Sequence, residues 1–258
     1  MREISIRSVV RRFVPERILQ KYRKERTLWM RKSIRKEFGG LPIADAFTEI
    51  YRRKLWGQLE GEGFFSGGGS LERFAGPYAE RVKAFIAERG ITTVIDLGCG
   101  DFRVGQRICE GSAVRYIGVD VVPDLIARNK SKFAFNGVDF KCLNIIEDQL
   151  PVGELCLIRQ VLQHLSNGEI ARVLANCSKF PFLLVTEDVY SGPDMRPNLD
   201  VLHGPDNRLF RNSGVYLDLP PFNLNTEYIL EIPCPETHSV IRTCCIERTK
   251  TSDIPARS

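Results

Sequence analysis

Between residues 93 and 188 the chain alternates short apolar runs with helix-like segments, and no other feature limits its possible folds as tightly. "TVIDL" (93–97), "RYIGVD" (115–120), "VDFKCLNI" (138–145), "LCLIRQV" (155–161) and "FLLVTED" (182–188) read as strands. "FRVGQRIC", "PDLIARNKSKF" and "NGEIARVLANC" between them read as helices, and Pro123 suits a first helical turn. This rhythm predicts βαβ units and a doubly wound, Rossmann-like α/β sheet covered on both faces. Before the first strand, Leu71, Phe74, Tyr78, Val82 and Phe85 fall at helical spacing, and Gly90 ends the run. The rhythm breaks near the end. "TEYILEI" (226–232) and "SVIRTCCIER" (239–248) are separated by six residues, too few for a crossover helix, so they should pair as an antiparallel hairpin.

Charge divides the chain. Residues 1–40 hold 13 Lys/Arg against 4 Glu, and the net charge of the whole is +5, which leaves the rest net negative. The expected organisation is a basic helical arm (1–40), a helical lid with a glycine-rich loop (41–70), a main domain (71–248) and a flexible tail (249–258). In the arm, Ile18, Tyr22, Trp29, Ile34 and Phe38 make a loose apolar stripe. The arm is either a solvated helix partly docked on the domain or a surface for anionic lipid or nucleic acid. The acidic main domain shows no aromatic–basic RNA motif, which disfavours nucleic acid. With no apolar run long enough for a membrane span and no apolar core of a signal peptide, the chain is expected in the cytoplasm, with residues 1–38 available for peripheral contact at the inner membrane face. Eight cysteines without a CxxC pair predict neither a disulfide framework nor a metal site.

The first strand ends in "VIDLGCGD". Gly98 and Gly100 permit a tight turn and close ligand approach. A dinucleotide would place its pyrophosphate on such a turn through G-x-G-x-x-G, but here the third glycine, Gly105, comes late. Asp96 and Asp101 would also repel a phosphate. A ligand with a cationic group, such as S-adenosyl-L-methionine, fits better. Asp120, ending the second strand, suits the two hydroxyls of a ribose. Asn144, ending the third, offers an acceptor to an adenine amino group, and Ile145 can cover the ring. Arg159 and Gln160 fall at the mouth of the pocket.

These stretches together, "VIDLGCGD … YIGVD … LNIIEDQLP … LCLIRQVLQHLS … FLLVTED", resemble the class I S-adenosylmethionine-dependent methyltransferases over residues 71–190. The resemblance implies a seven-stranded, mostly parallel sheet ending in an antiparallel pair. It implies that Asp96, Gly98, Cys99 and Gly100 contact the methionine part of the donor, with Asp101 beside them, that Asp120 contacts the ribose, and that Asn144 and Ile145 flank the adenine. Many members carry Asp where this chain has Asn144. "IYRRKLWG … FFSGGGS" (50–57 and 64–70) is similar to a feature of a bacterial branch of that family, for which no particular substrate follows. Trp56 and Tyr51 are the candidates to close over the donor.

For catalysis the candidates are His164, whose unperturbed pKa suits proton abstraction, and Glu187 and Asp188 at the end of the fifth strand. The proline-rich stretch 189–225 is the candidate substrate loop. Its Arg196, Asn198 and His203 are the expected substrate contacts, with Tyr51 opposite. The mix of Arg, Asn, His and aromatic residues there suits a polyhydroxylated small molecule or glycan as methyl acceptor. The alternative is an RNA or protein substrate held by the basic arm, whose binding should weaken steeply with salt.

Overall fold

The computed structural model describes residues 33–135 and 137–248. Most of the basic arm (1–32) and the tail (249–258) lie outside the described residues. Residues 33–38 are helical, followed by α1 (Ile43–Arg52), α2 (Glu72–Arg89), β1 (Thr93–Leu97), α3 (Arg103–Cys109), β2 (Arg115–Asp120), α4 (Pro123–Phe133) and β3 (Val138–Cys142). Then come β4 (Leu155–Arg159), α5 (Asn167–Asn176), β5 (Phe182–Tyr190), β6 (Glu227–Cys234) and β7 (Ser239–Glu247).

The sheet has seven strands in the order β3-β2-β1-β4-β5-β7-β6. Its first five strands run parallel, while β7 pairs antiparallel with both β5 and β6. The apolar runs are near-continuous because both faces are buried. Ile95, Leu97, Ile158 and Val185 pack on one side with Ile170 and Val173 of α5. Val94, Tyr116, Leu157 and Leu184 pack on the other with Val82 and Phe85 of α2. Helix α2 stops where Gly90 adopts a left-handed conformation and its N–H returns to Ile86 and Ala87. Leu71, counted in the helical stripe, instead lies just before the helix and is exposed. At one sheet edge β6 carries Pro233 between Glu227, Glu231 and the turn into β7.

The segment before the sheet packs onto it. Phe38, Ala46 and Ile50 are fully buried, with Ile34, Leu41, Phe47 and Trp56 against them. Part of the expected arm therefore joins a small core with α1 instead of ending at the "FGGLP" break. Among the described residues, no helix is long and apolar enough to cross a membrane.

Candidate functional site

Strand order reverses between β1 and β4, and a crevice opens there at the carboxyl ends of the strands. A cavity of about 670 Å³ occupies it. Gly98, Gly100 and Asp120 form one side, Val121, Leu143, Asn144 and Ile145 another, and Phe47, Tyr51 and Trp56 of the N-terminal segment the roof. Arg159, Gln160 and His164 close the end toward β4.

The glycine turn is held from three directions. The N–H groups of Gly98 and Cys99 donate to Val119 O (2.7 and 3.0 Å). Gly100 N donates to Asp120 Oδ2 (3.1 Å), and Asp101 N donates to Ser66 Oγ (2.8 Å). From α4, the fully buried Asn129 donates to Gly100 O (2.7 Å) and Arg128 to Asp101 O (2.9 Å). Every N–H from Gly98 to Asp101 thus has a protein acceptor, and the turn offers no free donor cluster to a phosphate. Gly105, which sat too late for a dinucleotide motif, has a packing reason: a Cβ there would collide with Phe102 and with the Tyr116 hydroxyl.

Charge around the turn is acidic. Asp96 accepts from the Tyr116 hydroxyl, and burial pushes its carboxyl up to about 6. Burial likewise lifts Asp120 to about 6, although the N–H groups of Val122 and Gly100 favour its charged form. Asp101 accepts from Ser66 N (3.2 Å) and Arg103 N (3.2 Å), so its carboxylate ties the glycine-rich loop to the start of α3. A smaller cavity of about 410 Å³ lies beside the turn, with Asp96, Asp101, Cys99, Ser66 and Arg159 in its wall. Arg159 donates to Gly69 O (2.7 Å) and stacks over Tyr78, leaving a buried Nε with no partner.

The roof is a connected set of rings. Tyr51 donates to or accepts from Ser66 Oγ (3.0 Å), and burial keeps its phenol protonated. Trp56 meets Tyr51 edge-on (5.2 Å) and the His164 ring (5.0 Å), and its indole N–H donates to Pro205 O (2.9 Å). This bond joins the N-terminal segment to the long loop after β5.

Trp56, Gln160 and His164 also line a second, wider cavity of about 1160 Å³. Its wall includes Gly67–Gly69, Arg73, Gln163, Asp188, Asn207 and Glu236. The partition between the cavities is tightly built. Gln160 takes a left-handed conformation (φ +54°), its N–H held by Thr186 O (2.7 Å), and its side chain occupies the space a Cβ on Gly69 would need. Such strain persists where surrounding structure fixes it, as at functional sites.

His164 lies in a tight turn (Leu162–His164) before α5. Burial lowers its pKa to about 4, so the imidazole is neutral at pH 7 and a weaker base than a free histidine. Asn144 lies in the first cavity's wall, and its Oδ1 already accepts from Ile146 N (3.1 Å), which leaves one lone pair for a ligand.

Four expected contacts do not reach the cavities, and three of them are committed elsewhere. Glu187 is 2% exposed and accepts from the N–H groups of Val161, Leu162 and Gln163 (2.9–3.2 Å). It holds the turn that carries His164 and lines neither cavity. Asn198 spans Tyr216 and Pro220 and stiffens the long loop from within. Arg196 is exposed and lines neither cavity. His203 pairs with Glu169 (2.7 Å) and Leu41 O (3.0 Å), fastening the loop to α5 and to the chain before α1. Pro205 and Asn207 are the loop's contribution to the second cavity instead. Ser66, Asn129 and Gln163 were not anticipated. The glycine-rich loop around Ser66 was the one sequence signal, while Asn129 looked like any polar residue on a helix.

The His203–Glu169 pair gives a pH-dependent stability. Burial raises the Glu169 pKa, but hydrogen bonds from His203 and Ser166 outweigh it and hold the carboxyl at about 2. Glu169 in turn raises His203. The glutamate's contribution is present above its unfolded pKa and lost as pH falls through the folded one. The histidine's is present below its unfolded pKa and lost as pH rises through the folded one. His203→Gln should therefore cost most between about pH 4.5 and 6.5, about 1–3 kcal/mol, and less above. Melting curves across pH check this; a cost independent of pH would exclude an ion pair.

No family model matches the chain, and no curated protein matches it. Solved structures do. The N-methyltransferase NodS from Bradyrhizobium japonicum WM9, in complex with S-adenosyl-L-homocysteine, superposes over 80% of this chain and 100% of its own with a TM-score of 0.56 at 8% identity. Magnesium protoporphyrin IX methyltransferase from Synechocystis PCC 6803, with bound SAM, covers 81% and 99% with a TM-score of 0.51 at 13% identity. The chain has the Rossmann-like methyltransferase fold. Human N-acetylserotonin methyltransferase, in complex with SAM, matches 82% of this chain at 15% identity with a TM-score of 0.47, and the chain spans 61% of its length.

Proposed function

We propose that this chain is an S-adenosylmethionine-dependent methyltransferase that methylates a hydroxyl of a small molecule or glycan. The observation that carries the reading is the glycine turn: Asp96, Asp101 and Asp120 surround it, and its N–H groups are all engaged within the protein. That environment suits a cationic ligand and offers nothing to a pyrophosphate. Arg159, the one basic group in the wall of the smaller cavity, suits the carboxylate of the donor's amino-acid end, and Asp96 suits its ammonium. Asp120 then receives the ribose, and Val121, Leu143 and Ile145 the adenine face. NodS and magnesium protoporphyrin IX methyltransferase, solved with the demethylated product and with the donor, support the choice of donor.

The donor supplies an already activated methyl group, so this chain's residues have mainly to align and exclude water. Trp56, Gln160 and His164 stand at the junction of the two cavities, where acceptor and methyl would meet. Neutral His164 is the proton acceptor at that junction, held by the Glu187-capped turn.

Calorimetric titration of the full chain with S-adenosylhomocysteine tests the reading. A dissociation constant of about 1–100 μM is expected. Preferential binding of a nicotinamide dinucleotide, or no response to the adenosyl compound, would refute it.

A further inference from the structure

The second cavity contains a carboxylate that the proposed chemistry does not use. Asp188 is the next residue along β5 after Glu187, and alternation sends its side chain to the opposite face of the sheet. Glu187 meets three backbone N–H groups on its own face; Asp188 enters the cavity wall with a buried Oδ1 that has no hydrogen-bond partner among the described residues. Burial raises its pKa, against a hydrogen bond from Ser239 that favours its charged form. Gln163, 5% exposed and in the same wall, also has an unpartnered buried oxygen, Oε1. Two acceptors left open in one cavity await donors from a ligand, since such groups are costly unless paired.

The remaining charges do not supply that partner. Arg73 and Glu236 lie at the exposed rim, where water screens them, and their formal charges oppose each other. His164 is neutral at pH 7. Among the charged residues that line this cavity, Asp188 has no buried counter-ion.

We infer that the second cavity takes an acceptor bearing a protonated amine, an amino sugar or amino alcohol, with Asp188 as its counter-ion and Gln163 as a second acceptor. This inference rests on the cavity being the acceptor site of the proposed methyltransferase. The ammonium is the anchor and keeps its proton; a hydroxyl of the same molecule is the nucleophile presented at the Trp56–His164 junction. The O–H bond breaks as the new O–CH₃ bond forms, the proton passes to His164, and the donor leaves as its neutral thioether.

Matched pairs that exchange hydroxyl for ammonium on one frame test this: glucosamine against glucose, and 2-phenylethylamine against 2-phenylethanol. Each is titrated into the full chain with and without saturating S-adenosylhomocysteine. In at least one pair the amine should bind at least about tenfold more tightly than its neutral partner, the lower range for a hydrogen bond to a charged group. Asp188→Asn should abolish that preference while leaving S-adenosylhomocysteine affinity unchanged. Glu236→Gln, at the rim, should keep the preference, and the melting temperature of each variant controls for folding. Equal binding of the pairs, retention of the preference in Asp188→Asn, or no amine binding up to about 10 mM, above ordinary KM values, would overturn the inference. A protein that ignores S-adenosylhomocysteine but still prefers the amines would instead sink the donor reading and leave the cavity's specificity standing.

Discussion

Asp120→Ala is expected to weaken S-adenosylhomocysteine binding by at least about a hundredfold. A ribose would place two hydroxyls on this carboxylate, and hydrogen bonds to charged groups contribute about 1.5–3 kcal/mol each. Their loss is about 3 kcal/mol at the low end, a hundredfold in affinity. The substitution also strips Gly100 N of its acceptor and loosens the turn that the rest of the donor would lie on. Asp120→Asn keeps one acceptor oxygen in place and should lose about tenfold. The wild-type affinity carries its own check. Burial lifts Asp96 and Asp120 to about 6, so both are ionised at neutral pH and become protonated as the solution is acidified. Affinity should therefore fall as pH drops from about 7 to about 5. Calorimetry at several pH values measures both effects, and an Asp120→Ala protein with undiminished affinity would remove the adenosyl ligand from the end of β2.

The largest effect on stability is expected at Gly98. Its φ of +80° lies where side chains are strained, at about 1–2 kcal/mol for an alanine. A Cβ there would also drive into Val161 Cγ2, and valine has little rotamer freedom with which to retreat. The sum for Gly98→Ala is about 2–4 kcal/mol, which in a chain of this size lowers the melting temperature by about 5–15 °C. Combining it with Val161→Ala should restore the steric part and leave the backbone part. Calorimetric melting separates the two, and a single variant that melts like the wild type would contradict the left-handed turn described here.

The sheet was legible in the sequence because a strand buried on both faces reads as an unbroken apolar run, and "TVIDL", "RYIGVD" and "FLLVTED" all do. The polar ends of those runs were legible for a related reason. A carboxylate near the carboxyl end of a buried strand faces that edge of the sheet, which is where Asp96, Asp120 and Asp188 meet the cavities. Chain position alone could not say which partner each polar group would find. Glu187 and Asp188 looked equivalent as candidate bases, yet one residue of alternation gives the first to a backbone turn and the second to a cavity. His203 and Asn198 have the chemistry of ligand contacts, but the distant partners that occupy them, Glu169 and Leu41 for the first and Tyr216 and Pro220 for the second, are set only by the tertiary fold.

The blunted edge strand also bears on how copies of this protein meet one another. Open sheet margins invite a second chain to continue the ladder. One margin here is β3, only five residues long, and the other is β6, where Pro233 lacks the N–H that a neighbouring strand would need and Glu227 and Glu231 repel their own kind. A seven-stranded sheet closed off in this way keeps its growth to one molecule, so crowded protein should resist joining edge to edge into fibres.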